Sequence, residues 1–410
     1  MEREAEMKNP WSAIDLFSGA GGMSFGFHAH PGFRVVGAVD AEIGKPSSGV
    51  GSLECNATYE ANIGIRPVAL DLMSTSPEDL RQALGGVPKE LTVLSSCAPC
   101  TGFSRTRNCN HETDDPRNSL VGRSLLFVEA YRPTIFVMEN ARELIRGRFD
   151  HHFLTLEKEF CRLGYAVHGQ VHMLSRFGLP QQRERALVIA VRNGMTLRTL
   201  DDLWQDYQPV ANATHVRRAI GGLPPLAAGE TDPEDADHAC PAMGEENVRR
   251  IRLIPKDGGS WADLRHHPRR MTILTGAMLR SIARDDFGSH PDVYGRMAWD
   301  RPAPTIKREC GHIGNGRYAH PEQDRLCSVR EMAILQGFPR SYVFRGNSLT
   351  NRYRHIGDAV PPLVSYQIAA LCRWMLTGVK PEPDEFLLPG THLTKADLVE
   401  KVAQRELFAG

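Results

Sequence analysis

The sequence predicts an α/β fold: a parallel sheet flanked by helices, with a smaller unit inserted late in the chain. Three observations predict it. Short apolar runs recur through the first half, and each stops at residues able to do chemistry. Helix-like segments separate them. Beyond "VIAVRNG" the alternation gives way to loop-forming and then arginine-rich sequence. Near-continuous apolar strands alternating with helices imply a parallel sheet covered on both faces. Such sheets bind ligands beyond the carboxyl ends of their strands.

The first run, "SAIDLF" (residues 12–17), stops at "SGAGG". Glycines after a strand let the backbone turn tightly and approach a ligand, although such a turn alone is weak evidence. No Lys-Ser/Thr pair follows, which favours a nucleoside over a triphosphate. Phe17 stands where a ring could cover an adenine; an aromatic there is otherwise core. The second run, "FRVVGAVD" (33–40), ends at Asp40, a carboxylate able to take both hydroxyls of a ribose. Asp71 in "VALDLMS" is placed like a further carboxylate and equally like a helix N-cap. The third run, "LTVLSS" (91–96), stops at "CAPC". The fourth, "PTIFVMEN" (133–140), ends in Glu139 and Asn140. The fifth, "ALVIAV" (186–191), follows "PQQRER". The predicted sheet gathers turn, acid, cysteine and glutamate along one edge.

The pair Cys97 and Cys100 has three readings. Zinc needs two more ligands, for which Cys109 and His111 are irregularly spaced candidates. A redox dithiol should open a helix in a small fold, but polar, basic sequence follows instead. The third reading fits best: Cys97 packs as a small apolar residue at a strand end. Cys100, near Arg105 and Arg107, is then a nucleophile whose thiolate those cations favour.

Bulk properties bound the rest. A chain of 410 residues with 41% hydrophobic and 24% charged residues reads as two or three globular domains. Formal net charge is zero, so any nucleic-acid surface must be local. Nine scattered cysteines are no secreted disulfide framework. The charged start lacks a signal core, and no apolar run is long enough to span a bilayer. A cytoplasmic protein with reduced thiols is expected.

The ordered set "DLFSGAGGMSFGF", "APCTGFS", "DPRNSL", "FVMENA", "GLPQQRERALVIAV", "RPAPTI", "SVREMAILQGFP" and "IGDAVPP" resembles the DNA cytosine-5 methyltransferases, over residues 13–371. The resemblance implies a Rossmann-like sheet that binds S-adenosylmethionine, with a smaller inserted target-recognition domain. It makes Cys100 the thiolate that adds to carbon 6 of cytosine. Glu139 becomes the acid at ring nitrogen 3, with a raised pKa in a closed pocket. Arg185 becomes the contact to the base oxygen. Arg183 becomes its support, the likelier of the two to be structural, and the two arginines are expected to face one way. Phe17, Ser18, Gly19, Ala20, Gly21 and Gly22 match the loop beneath the cofactor. Asp40 and Asp71 match its ribose-side and adenine-side acids, and Leu120 a further contact. Asp358, where the family usually carries Asn, is expected to meet the cofactor's ammonium. The usual Gln after the nucleophile is Thr101, followed by Gly102; Ala41 stands where an aromatic often covers adenine. No metal is needed.

The segment "GGLPPLAAGETDPEDADHACP" reads as exposed loops. The arginines that follow, Arg249 and Arg250 through Arg269 and Arg270 to Arg284, read by default as a solvated face. In a family member they read as the surface that tracks duplex DNA. Ser104, Arg105 and Arg107 join that surface from a loop that closes over a flipped cytosine. Expected domains are 1–203 (catalytic), 204–326 (recognition) and 327–410 (return and extension). Within the return, "SVREMAILQGFP" reads as a capped helix from Ser328 and Glu331, and "AVPPLVSYQIAALCRWML" as another. The tail from residue 380 carries no functional reading beyond a short acidic-to-amphipathic extension. A methyltransferase of a bacterial restriction or anti-phage system is expected, with double-stranded DNA and a cognate nuclease as partners. An RNA methyltransferase on the same scaffold, a non-catalytic binding protein and a zinc regulator are the alternatives.

Overall fold

The computed structural model describes residues 9–43, 53–99, 119–147, 150–285, 287 and 292–401. Its centre is a six-stranded sheet built from β1 (Trp11–Leu16), β2 (Phe33–Val39), β3 (Val93–Ser96), β4 (Ile135–Asn140), β5 (Tyr165–Met173) and β7 (Glu184–Arg192). The spatial order is β2-β1-β3-β4-β7-β5. All five expected apolar runs are strands. β1 to β4 pair in parallel, but β7 runs antiparallel to both β4 and β5. The sheet is therefore mixed, not wholly parallel. The reason is connection length: residues 174–183 hold a short 3-10 turn and no helix, and a parallel return needs a crossover of a dozen residues or more. The reversal brings the amino end of β7, with Arg185, to the edge where the parallel strands have their carboxyl ends.

One face of the sheet carries Ala13, Val93, Ile135, Val137 and Leu187, packed under the helices Gly22–Ala29 and Pro362–Thr377. The other carries Ile14, Leu94, Phe136 and Val188, covered by Ser119–Tyr131 and Asp150–Arg162. The alternation within each strand accounts for both faces being buried. Both expected return helices form. Ser328 caps Val329–Leu335, accepting from Glu331 N at 3.1 Å, while the Glu331 carboxylate accepts from Ser328 N at 2.7 Å. No described helix is long and apolar enough to cross a membrane.

A second core joins residues 216–278 to 297–359 and includes Trp261, Trp299 and Tyr342. It meets the sheet body through the seam of β6 (Gln181–Gln182) with β9 (Ala303–Pro304) and through the return segment, where Tyr342 bonds to Ala20 and Val360 packs on Gly22. A further short pair, β8 (Tyr207–Pro209) with β10 (Leu398–Glu400), lies against the first core. The acidic stretch expected as exposed loops has no regular structure, but it is not exposed throughout. Asp237, His238, Ala239 and Cys240 are buried. The carboxylate of Asp235 takes two hydrogen bonds from Arg330, at 2.6 and 2.9 Å, and Asp237 accepts from Phe344 N at 2.9 Å. Its acids dock on the return segment because the buried Arg330 and a free backbone donor await them there.

Candidate active site

The glycine-rich turn follows directly from β1. Phe17 is held at φ 59°, a left-handed conformation that costs a non-glycine residue roughly 1–2 kcal/mol. Gly19, at φ 51°, has no atom within 4 Å of where a Cβ would stand, so its backbone is open to a ligand. Gly22 serves a different end: a Cβ there would lie 2.2 Å from the Val360 carbonyl oxygen. The turn is thus clamped from behind by the return segment and open in front. Ser18 Oγ is buried with no hydrogen-bond partner among the described residues, a polar atom that a bound group could satisfy. Tyr342 donates to the Ala20 carbonyl from 322 positions away.

Asp40, half-buried at the end of β2, accepts from Gly19 N at 2.9 Å and from Glu42 N at 2.7 Å. Burial pushes its carboxyl above the ordinary range, and those two N–H donors oppose the rise. Its oxygens thus fasten the turn to the neighbouring strand. The Cys55 thiol donates to the same carboxylate at 3.6 Å; a carboxylate has about four lone-pair sites, so one acceptor position remains for a ribose hydroxyl. Asp71 is exposed and closes a local turn by accepting from Met73 N at 2.9 Å. The cap of the next helix is Ser76, not Asp71. A pairing of Val68 with Val39 sets this stretch beside the end of β2. Leu120 is buried in the core that Phe17 borders. Asp358 ends the helix Leu349–Asp358, and its carboxylate pairs with Arg308. Open glycine, orphaned serine and strand-end acid fit a nucleoside-bearing group such as S-adenosylmethionine.

Next along the edge, Glu139 stands on β4. Register pairs Glu139 with Leu187, which puts Arg185, two residues earlier on β7, diagonally beside it on the same face. Arg185 Nε lies 2.9 Å from Glu139 Oε1, and both side chains are mostly buried. The N–H axis points aside, so this oxygen accepts no hydrogen bond. Arg183 precedes the strand and is buried at 2% exposure. It donates to the carbonyls of Ile306 at 3.0 Å and Ala359 at 3.4 Å. Its contacts bind the inserted unit and the return segment to the sheet, whereas Arg185 reaches the acid.

Cys97 is half-buried against the first core. The described chain runs on to Pro99; Cys100, Ser104, Arg105 and Arg107 lie outside the described residues, as do Cys109 and His111. Asn140, given no role by sequence reasoning, holds the segment just before Cys100. Its side chain donates to the Ala98 carbonyl at 3.1 Å and accepts from Ala141 N at 2.8 Å. The "Glu-Asn" dipeptide at a strand end was the available signal. Asp15 was also missed. It is buried beneath the turn, accepting from Ser24 and Ser95 Oγ at 2.6 Å each, and burial pushes its carboxyl up to about 6. Spacing gave no hint of Tyr342.

In the inserted unit Arg249, Arg265, Arg269, Arg270, Arg280 and Arg284 are exposed, and among the described residues none pairs with a carboxylate. Arg250 departs from the expectation of a surface residue. It is 6% exposed, donates to the Ile273 carbonyl at 2.8 Å and stacks 4.8 Å from the Tyr294 ring centre. Its position on the inward face of the helix Glu245–Leu253 explains the difference.

Comparison with known proteins agrees with this arrangement. Residues 11–374 match the model of the C-5 cytosine-specific DNA methylases. The chain is 32% identical over 373 residues to the type II methylase M.HgiDII of Herpetosiphon aurantiacus, covering 90% of this chain and 96% of that one. It is 29% identical to the type II methyltransferase M1.HphI of Haemophilus parahaemolyticus, over 87% and 85% of the two chains. In fold it resembles a prophage-encoded Escherichia coli protein described as a DNA modification methyltransferase. That match has TM-score 0.60 and 20% identity and covers 89% of this chain and 99% of the other. The chain belongs to the C-5 cytosine-specific DNA methylase family, enzymes that act on DNA and use S-adenosylmethionine.

Proposed function

We propose that this enzyme methylates carbon 5 of a cytosine flipped out of duplex DNA, with Cys100 as nucleophile. The Cys100 thiolate adds to carbon 6, and the electron pair of the 5,6 double bond moves into the ring toward nitrogen 3 and the base oxygen. Glu139 protonates nitrogen 3 and Arg185 holds the oxygen, so the ring becomes an enamine with carbon 5 nucleophilic. S-adenosylmethionine supplies the electrophilic methyl group. Loss of the carbon 5 proton to a base then expels the Cys100 thiolate, and nitrogen 3 returns its proton to Glu139, which restores the ring. The Glu139–Arg185 pair, at the sheet edge where Asn140 holds the segment leading to Cys100, is the observation that carries this reading. Ser18, Gly19 and Asp40 would hold the cofactor at the ribose end.

The insert, residues 204–326 in this reading, carries the exposed arginines that would track phosphates. Two relatives that match over most of their length are named as a type II methylase and a type II methyltransferase, which supports a place in a restriction or anti-phage system beside a nuclease. The test is methyl transfer from labelled cofactor to duplex DNA, with transfer RNA as the rival acceptor. Wild-type protein should label the duplex. Cys100→Ala should lose transfer yet still bind DNA, and Cys97→Ala should keep transfer with some loss of stability. Activity surviving Cys100→Ala but not Cys97→Ala would reverse the assignment of the thiols; label on RNA alone would move the enzyme to the other substrate.

A further inference from the structure

The C-terminal stretch beyond the family's matched region is folded onto the body. The short helix Pro383–Phe386 lies against Pro362–Thr377, with the Phe386 ring 5.2 Å from that of Trp204. Phe386, Leu387, Leu388 and Leu393 are buried. Leu393 fills the space beside Gly178 so closely that a Cβ there would sit 2.2 Å from Leu393 Cδ2. This end is anchored in the sheet body.

The other end holds the chain where it enters the insert. β10 pairs with β8, the connector that leads from Trp204 into the insert, and β8 has no other strand partner among the described residues. The Asp397 carbonyl accepts from Val210 N at 2.8 Å. The Asp397 carboxylate takes Arg218 Nη2 at 2.9 and 3.2 Å, and Thr394 N and Oγ1 at 2.8 and 2.7 Å. Arg218 belongs to the helix Val216–Ile220, whose neighbouring residues bond to the carbonyls of Arg301 and Trp299 deep in the inserted unit. Most of the insert is held by the core it shares with the return segment, which includes Met332, Tyr353 and Ile356. This stretch adds a contact on the other side, where the chain enters the insert, far from the β6–β9 seam near Arg183.

We propose that residues 383–401 form a strap that braces the entry of the inserted unit, residues 207–220, against the sheet body, with Arg218 and Asp397 as positioning residues. The consequence for catalysis rests on the DNA reading given above. Without the brace the helix Val216–Ile220 and the core packed on it can shift, so that the insert's arginines hold the productive geometry only part of the time. Apparent affinity for the duplex falls by that fraction, while the cofactor loop, held by Val360 and Tyr342, is untouched.

The experiment compares wild type with Arg218→Gln and Arg218→Lys, read by hydrogen exchange over residues 207–220, cofactor affinity, and KM and kcat on duplex DNA. Arg218 is half exposed, so these variants should fold; truncation after residue 378 would uncover Trp204 and is the less safe choice. Arg218→Gln should speed exchange at 207–220 and raise the DNA KM about two- to fivefold, the range for an ion pair of this exposure. Cofactor affinity and kcat should hold within twofold, and Arg218→Lys should recover most of the effect. Unchanged exchange overturns the strap. Faster exchange with an unchanged KM overturns its part in the reaction. A wild-type protein that bound no duplex would sink the DNA reading instead, and the exchange result would still decide the strap.

Discussion

Arg183 and Arg185 are two residues apart in sequence and do different work. Arg185 reaches Glu139 across the β4–β7 register, whereas Arg183 satisfies carbonyls of two other segments. Arg185→Ala should therefore lower methyl transfer by about a hundredfold or more, the usual effect of losing a donor to developing charge, with cofactor affinity unchanged. Arg183→Ala should cost about 2–4 kcal/mol in denaturant unfolding, because it leaves the Ile306 carbonyl and part of the Ala359 carbonyl unpaired in the interior. If the unfolding free energy stayed the same and only the rate fell, Arg183 would belong to the site and not to the frame. The sequence distinguishes these two poorly, since alternation predicts a common direction. What separates them is that Arg183 lies before the strand begins, where periodicity no longer sets the side chain's direction. Asp15 and Tyr342 were illegible for another reason: each acts through a partner brought close only by the fold.

At the scale of elements, the apolar runs identified five of the six sheet strands, and the capping box located the start of Val329–Leu335. β5 escaped because its sequence, "YAVHGQVHM", is only partly buried along most of its length, so His and Gln interrupt the apolar residues and no continuous run remains. The direction of β7 is set by the short link before it, not by its own composition. Helix packing gives a second prediction. Gly26 lets Gly22–Ala29 lie against Pro362–Thr377, and a Cβ there would come within 2.2 Å of the Ser365 backbone. Gly26→Ala should destabilise by about 1–3 kcal/mol through overpacking; an unchanged melting temperature would show that the two helices part freely. On the inserted unit, Arg269→Ala with Arg270→Ala should make the log–log salt dependence of DNA binding shallower by about 0.9 for each lost phosphate contact. Unaltered slope, affinity and sequence preference would leave these arginines as a solvated face. Arg250→Ala belongs with the stability variants, since its guanidinium is spent on Ile273 and Asn247.

For the whole molecule, acid should be more damaging than base. Burial holds His30, His172, His320, His355 and His392 at about 4, below the ordinary 6.5. Each favours the neutral form when folded, so its stabilisation is complete above 6.5 and is lost as the pH falls towards 4, where the unfolded chain binds more protons. Asp15 acts in the opposite sense. Its carboxyl is raised from 3.8 to about 6, so its share is present at low pH and is lost as the pH rises through 6. Asp40 and Asp237 are raised by burial in the same sense as Asp15, and His28 is lowered like the other histidines. The histidines outnumber these carboxyls, and the melting temperature should drop between pH 7 and pH 5; a flat or rising profile would contradict the assignment of these histidines as buried and neutral. The central claim is that a cytosine in duplex DNA receives the methyl group by way of Cys100. Bisulfite sequencing of genomic DNA tests it most directly, in a host free of cytosine methylation that expresses either this chain or its Cys100→Ala variant at equal level. Cytosines protected at one recurring sequence with the wild-type chain, and none with the variant, is the predicted result. Full conversion in both, or equal protection in both, would contradict it.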